Sequence, residues 1–467
     1  MGKTLTEKVT WVGKVDWELK KFHGDEYSTH HGSSYNSYLI RDTEKTVLVD
    51  TVWKPYDKEF VQNLKQEVEL SQIDAIIVNH GEVDHSGALP LLMKEIPDTP
   101  IYCTANGVKS LTGQYHENWN FIPVKTGDTL DLGTVTLTFI EAPMLHWPDT
   151  MFTYMSGENI LFSNDGFGQH YATESLYNDM VDPSELMAEA RKYYANILCP
   201  FSMMVARKIR EIQAMNLPLD MICTSHGVIW RNDPAQIVEK YLEWAADYQD
   251  NQVSIVYDTM WEAPRHMAQA IAAGPGVTVK LFNASKSDKT DIIAEVFQSK
   301  AVVVGSPTVN NGYLYAIAGI LELMKGAKFK KKKAAAFGSY GWSGEAVKLI
   351  SEELQGRGVR LSFLLDEGGA IQDVRLVEGE RGPRRNLAYR SAGHSCDGLG
   401  LFLVGQIGKH GRHAGDFAHA SHGLETGIAQ VVHDDDLVVT LEQFHHGVAT
   451  DEPGTPRHQY AGFGGIF

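Results

Sequence analysis

The sequence predicts an α/β protein built from two successive domains. Two observations carry this. Over residues 1–250, short β-branched strands alternate with turns and a few helices, and several strands end on a polar residue. From 253 to 365 the alternation becomes regular, with five strands separated by four helices. A chain of 467 residues is also too long for one hydrophobic core, which fits two or three domains.

In the first part, TVLVDT (46–51), AIIVNH (75–80), IYCT (101–104), VTLTFIEAP (135–143) and ILFSND (160–165) read as strands, with helices expected at 57–69, 87–95 and 183–197. Asp50, His80 and Asp165 stand at strand ends, where α/β proteins tend to build their sites. The stretch AADYQDNQ (245–252) is the expected linker. In the second part the strands are 254–259, 277–283, 301–307, 333–339 and 359–365, and the helices are 264–273, 288–298, 314–325 and 344–355. That order implies a doubly wound parallel sheet of the flavodoxin type over 253–367.

Composition narrows the function. The formal net charge is −17, which argues against nucleic acid, since such proteins need a basic face. The four cysteines, Cys103, Cys199, Cys223 and Cys396, form no CxxC pair. A disulfide framework or thiolate metal site is therefore not expected, and a reducing cytoplasm fits. No signal peptide and no membrane span are expected either.

The densest chemical signal is His80-Gly-Glu82-Val-Asp84-His85, directly after the apolar strand AIIV. His146 in MLHWPD, Asp165 in FSNDGFG and His226 in TSHGVIW follow, each after a strand-like run. Imidazoles and carboxylates suit iron, manganese and zinc. Seven candidate ligands exceed what one metal needs and suffice for two metals sharing a carboxylate.

The spacing of HxExDH, then 60 residues, His, 18 residues, Asp, 60 residues and His resembles the flavodiiron proteins, most closely the anaerobic nitric oxide reductase flavorubredoxins. WVGKVDWELKKFHGDEY, GSSYNSYLI, MLHWPDTM, FSNDGFGQHY, YYANIL and TSHGVIWR carry the resemblance over about 5–365. It implies a metallo-β-lactamase-like αββα sandwich for residues 1–250. It also implies one iron on His80, Glu82 and His146, a second on Asp84, His85 and His226, and Asp165 as the bridge. His23 and one of Tyr193 or Tyr194 resemble family residues near the open face, able to donate a hydrogen bond or proton. Hydrolytic relatives of the fold carry HxHxDH and zinc. Glu82 in place of the middle His supplies an anionic oxygen and shifts preference toward iron.

The flavodoxin-type part implies FMN. Its phosphate would rest on Thr259 and the N–H groups of Met260, Trp261 and Ala263. Glu262-Ala263-Pro264 departs from relatives that carry Gly or Asn and then Ser or Thr, and it predicts weaker FMN retention. The loops with Ser306, Pro307, Thr308, Asn310 and Asn311, and with Ser339, Tyr340, Gly341, Trp342 and Gly344, are expected to sandwich the flavin ring.

Together these imply that electrons pass from FMN to a diiron site, which reduces nitric oxide to nitrous oxide or dioxygen to water. The resemblance further implies a head-to-tail homodimer or a homotetramer. Flavorubredoxins end in a rubredoxin module with two CxxC pairs, and without these a separate rubredoxin-like electron donor is expected. Three other readings stand beside this one: a zinc hydrolase with a fused flavodoxin-like domain, an FMN-binding redox sensor, and the inactive product of a damaged gene. Residues 368–467 hold nine of the 19 histidines and one lysine, Lys409. A shifted reading frame in a G+C-rich gene would produce such text, and a divergent metal-binding appendage is the rival reading.

Overall fold

The computed structural model describes residues 2–273, 277–329 and 331–355, and the backbone alone of 360–368. The expectations for the tail, a shifted reading frame or a metal-binding appendage, lie outside these residues.

Residues 3–224 build two facing sheets. The first has seven strands in the order Lys3–Thr4, Val9–Trp11, Tyr38–Arg41, Thr46–Val49, Ala75–Ile77, Ile101–Thr104 and Phe121–Val124. Its first four strands pair antiparallel and the rest parallel. The second sheet runs Thr129–Asp131, Thr136–Glu141, Met151–Met155, Ile160–Asn164 and Met221–Thr224.

The two-residue alternation of strand side chains sorts the apolar residues into layers. Tyr38, Ile40, Val47, Val49 and Ile77 face the second sheet and pack with Leu137, Phe139, Met151, Ile160 and Phe162. Leu39, Leu48 and Ile76 point the other way, under the helices Asp57–Glu67, Leu89–Glu95 and Ala105–Tyr115. Ile140, Phe152, Leu161 and Ile222 of the second sheet lie under Pro183–Tyr193, Ser202–Ala214 and Ala235–Ala245. The result is an αββα sandwich with three apolar layers.

Residues 250–368 form a five-stranded parallel sheet in the order Thr278–Asn283, Asp250–Tyr257, Ser299–Pro307, Lys333–Tyr340 and Arg360–Gly368. By sequence order this is 2-1-3-4-5, the doubly wound order with a switch point beside the first strand. The two parts share one core. Tyr194 and Trp244 of the sandwich pack with Ile292, Phe297 and Ile317 of the second part, and the Tyr194 and Phe297 ring centroids lie 5.7 Å apart.

The expected strands and helices are present with ends shifted by a few residues. The 183–197 helix stops at Tyr193 and continues as a π-helical turn, Tyr194–Leu198. The sequence reading passed over the short N-terminal strands and the helices Ala105–Tyr115, Ser202–Ala214 and Ala235–Ala245. Among the described residues, no helix is long and apolar enough to cross a membrane.

Candidate metal centre

The strands Ala75–Ile77, Ile160–Asn164 and Met221–Thr224 end on one side of the sandwich; the segments that follow carry His80 and Glu82, then Asp84 and His85 in the short helix Val83–Ser86, Asp165 and His226. Asp50 fastens these ends together. Its carboxylate accepts the Asn79 N–H (2.8 Å) and the side-chain amides of Asn79 (3.1 Å) and Asn164 (3.3 Å).

The seven expected ligands converge as two groups. His80, Glu82, His146 and Asp165 form one, and Asp84, His85 and His226 the other. Within each group the ligand atoms lie within 4.8 Å of one another. Glu82 Oε2 is 3.2 Å from both His80 Nε2 and His146 Nε2. Asp84 Oδ2 is 3.0 Å from His226 Nε2 and 3.4 Å from His85 Nε2. Asp165 lies between them. Its Oδ2 is 3.5 Å from His146 and 3.8 Å from His80, while its Oδ1 is 3.2 Å from His85 and 3.4 Å from His226.

Both oxygens of Asp84, both ring nitrogens of His85 and Oδ2 of Asp165 are buried without a hydrogen-bond partner. Such groups cost free energy when buried alone. Lone pairs aimed at common points, not at donors, are what a pair of cations would satisfy, so the donor set fits two metals sharing Asp165.

Supporting groups fix the ring orientations. His226 Nδ1 donates to the Ser34 carbonyl at 2.7 Å, which leaves Nε2 facing the cluster. His80 Nδ1 bonds Asp149 Oδ1 at 3.0 Å, and Asp149 Oδ2 accepts the Gly81 N–H at 3.0 Å. A side chain at Gly81 would put its Cβ 2.9 Å from that oxygen, so the contact needs glycine. A carboxylate behind a ligating histidine is a recurrent metal-site device. Sequence reasoning missed Asp149, although it closes the MLHWPD segment. It also missed His170, which is fully buried against Phe22, Tyr27, Tyr193 and His226 and bonds Ser33 at 2.8 Å.

The electrostatics follow from these contacts. Burial pulls the His80 imidazole down, but Asp149 and Glu82 outweigh it and hold it well above the usual range. Burial would push Asp165 up, yet His85 and His146 hold its carboxyl well below its usual range. Burial and the neighbouring His226 keep His170 neutral.

The three expected residues at the open face separate. His23 Nε2 lies 3.0 Å from Glu82 Oε1, with about a third of its side chain exposed (35%). Tyr193 donates its hydroxyl to Asp165 Oδ1 at 3.0 Å. Tyr194 is not at the cluster. It bonds Ser202 at 2.9 Å and stacks among Tyr241, Trp244 and Phe297, because neighbours on a helix point about 100° apart.

The three loops expected to hold flavin lie side by side at the ends of adjacent parallel strands. Asp258 N–H donates to the Gly305 carbonyl at 3.1 Å, and Thr308 N–H to the Ser339 carbonyl at 2.8 Å. Thr308 Oγ1 accepts the Ala346 N–H at 3.2 Å, and Ser306 Oγ accepts the Leu314 N–H at 2.9 Å. Asn310 and Asn311 take left-handed conformations in a tight turn before Gly312. Ala263 opens the helix Ala263–Ala272. Met260, Trp261 and Trp342 are exposed, Trp342 at 93%, and Pro307, Tyr340, Gly341 and Gly344 lie along the same rim. Thr259 Oγ1 is buried with no partner, as a hydroxyl meant for a phosphate would be without its ligand. Glu262 pairs with Arg265 one turn on, which offsets the negative charge this acidic residue would otherwise place beside a phosphate.

A family model described as ODP family beta lactamase matches residues 34–227, and a flavodoxin model matches 255–385. The fold and site thus define a class in which a β-lactamase-like metal domain is joined to a flavodoxin domain. The anaerobic nitric oxide reductase flavorubredoxin of Klebsiella pneumoniae is 56% identical over 372 residues, 78% of this chain and 77% of that one. Its Escherichia coli counterpart is 56% identical over 78% of each chain. Among solved structures, the rubredoxin oxygen:oxidoreductase of Desulfovibrio gigas aligns with a TM-score of 0.77 at 36% identity, covering 79% of this chain and 93% of that one. The flavodiiron protein of Giardia intestinalis aligns at 0.75 and 34%, covering 79% and 92%. The chain belongs to the anaerobic nitric oxide reductase flavorubredoxin family.

Proposed function

We propose that this chain is a flavodiiron oxidoreductase that reduces nitric oxide to nitrous oxide. The observation that carries the reading is the pair of buried ligand groups joined through Asp165, with Glu82 at the position where zinc hydrolases carry histidine. The 56% identity to nitric oxide reductases favours nitric oxide over dioxygen. We take residues 1–250 as the metal-binding part and 253–367 as the flavin-binding part. His80, Glu82 and His146 would hold one iron, Asp84, His85 and His226 the other, with Asp165 shared.

When bound, FMN and the iron pair supply electron storage and gas-binding positions for the reaction of two nitric oxide molecules, two electrons and two protons to nitrous oxide and water. The residues do the rest. Asp149 and Ser34 hold His80 and His226 with one ring nitrogen turned inward. Tyr193 and Ser225 hold Asp165 by hydrogen bonds at 3.0 and 3.2 Å. Phe22, Tyr27 and His170 wall the site from water. His23 stands at the mouth, where a proton on Nε2 faces Glu82 Oε1 and can be offered to a bound gas. Thr259 and the neighbouring N–H groups would hold the FMN phosphate, and Ser306, Thr308, Asn310, Asn311, Ser339 and Tyr340 would line the ring. A rubredoxin-like protein is the electron donor we infer, and a head-to-tail homodimer or homotetramer the working assembly.

Metal analysis, a visible spectrum and anaerobic nitric oxide consumption with a reduced rubredoxin test this reading together. About two irons and one FMN per chain with rapid consumption are expected. Zinc without flavin absorbance, or no consumption by the fully loaded protein, would overturn it.

A further inference from the structure

His23 sits in the turn of a two-stranded hairpin, Lys21–Phe22 paired with Tyr27–Ser28, and its own backbone is left-handed (φ 52°). A four-residue turn (23–26) with few internal bonds does not hold a side chain still by itself. The hairpin is held from outside the sandwich. The helix Lys289–Gln298 of the flavodoxin part begins against it, and Asp288 is that helix's N-cap. Asp288 Oδ1 accepts the Thr290 N–H (2.9 Å) and hydroxyl (2.6 Å), which caps the helix. Its Oδ2 accepts from the Ser28 hydroxyl and from Lys21 Nζ, the latter at 3.1 Å, so it grips both strands of the hairpin. Ser28 N–H reaches Thr290 Oγ1 at 3.4 Å, and Lys289 Nζ pairs with Glu26 in the turn at 2.8 Å. Burial opposes ionisation of Asp288, but Ser28, Thr290 and Lys21 outweigh it and keep the carboxyl well below its usual range.

At the other end of the hairpin, Phe22 packs against His23, His170 and His226 with ring centroids 4.3, 4.6 and 5.6 Å apart, and His23 reaches Glu82. A displacement at Lys21 or Ser28 therefore moves both the lid over His226 and the imidazole at the mouth. We infer that Asp288, in the flavodoxin part, is a positioning residue that sets His23 over the metal centre of its own chain. In the head-to-tail assembly inferred above, the flavodoxin part then serves two gas sites, its partner's through the cofactor loops and its own chain's through this mechanical clamp. The inference rests on the role proposed above for His23.

Asp288→Ser separates the two tasks of the side chain. Serine is a good helix N-cap but offers no second oxygen to the hairpin. Hydrogen exchange followed by mass spectrometry should show the 20–29 peptide exchanging about tenfold faster, with the 289–298 helix unchanged. In the iron- and FMN-loaded full chain, the substitution should lower turnover about tenfold, as small misplacements of a reacting group do. In a His23→Gln background it should lower turnover no further. Losses that add across the two substitutions, or a 20–29 peptide that exchanges as in the wild type, overturn the inference. His23→Gln with unchanged turnover overturns it as well, and in that case the role of His23 itself is what fails. Lys21→Met with Ser28→Ala removes the same clamp from the hairpin side and should reproduce both changes.

Discussion

Asp149 bonds the outer nitrogen of His80 and the N–H of Gly81 at once, so it fixes both the ring and the loop that carries it. Replacing such a carboxylate behind a ligating histidine costs roughly 10–100-fold in metal affinity. Asp149→Ala is therefore expected to lose iron that much more readily to a competing chelator, and unchanged retention would reduce Asp149 to a packing role. The ligand residues themselves were legible because each sits in a short motif at a strand end. Asp149 was not, because a lone Asp after Trp-Pro carries no signal until His80, 69 residues earlier in the chain, is placed beside it. Tyr193 and Tyr194 show the same limit. The sequence offered either one, and only the helix phase turns Tyr193 to Asp165 and Tyr194 into the core.

At the scale of elements, the proposed phosphate loop between Tyr257 and the helix Ala263–Ala272 is where flavin retention is expected to be decided. Thr259 Oγ1 is buried and unpartnered. A hydrogen bond to a charged group is worth about 1.5–3 kcal/mol, so Thr259→Ala should weaken FMN binding by roughly ten- to hundredfold in a fluorescence titration of the flavin-free protein. An unchanged affinity would move the phosphate elsewhere. A second element-level device ties the two sheets of the sandwich. Asp42, in the turn after Tyr38–Arg41, accepts from Lys8 (2.6 Å) and from Thr134 and Val135, in the turn that joins Thr129–Asp131 to Thr136–Glu141 of the facing sheet (N–H groups at 2.6 and 2.8 Å). Burial would raise its pKa, but Lys8 and Thr134 hold it well below the usual range. A depressed carboxyl stabilises the fold above the unfolded value of about 3.9 and loses that contribution as pH falls through the lower folded value. Asp42→Ala should thus cost roughly 1–2 kcal/mol at neutral pH, and the gap between the denaturation midpoints of variant and wild type should narrow as pH falls below about 3.9. A gap as wide at pH ~2 as at neutral pH would mean that ionisation is not what Asp42 contributes.

At the scale of the molecule, the flavin loops and the metal centre belong to separate sheets, and the head-to-tail assembly we infer would bring one subunit's flavin to its partner's irons. Mixing separates this from transfer within one chain. Asp165→Ala chains, unable to share metal, can be dissociated and reassociated with chains made flavin-free by substitutions in the three loops. Random pairing gives half mixed dimers with one complete site each, so about a quarter of wild-type turnover should return. No recovery would show that each chain must supply both cofactors to its own reaction.

The sequence by itself determined the two-part α/β order, the parallel five-stranded sheet of the second part and the seven candidate ligands, because strand–helix alternation and strand-end polar residues are local patterns. What only the tertiary structure decided is how distant segments meet. It placed Asp149 behind His80, bound Tyr193 to Asp165, paired Glu262 with Arg265 and set Asp288 against the hairpin of His23. The physical reason is that hydrogen bonds and packing act across a few ångströms of space, whatever the separation along the chain, while periodicity and propensity act only between near neighbours in sequence.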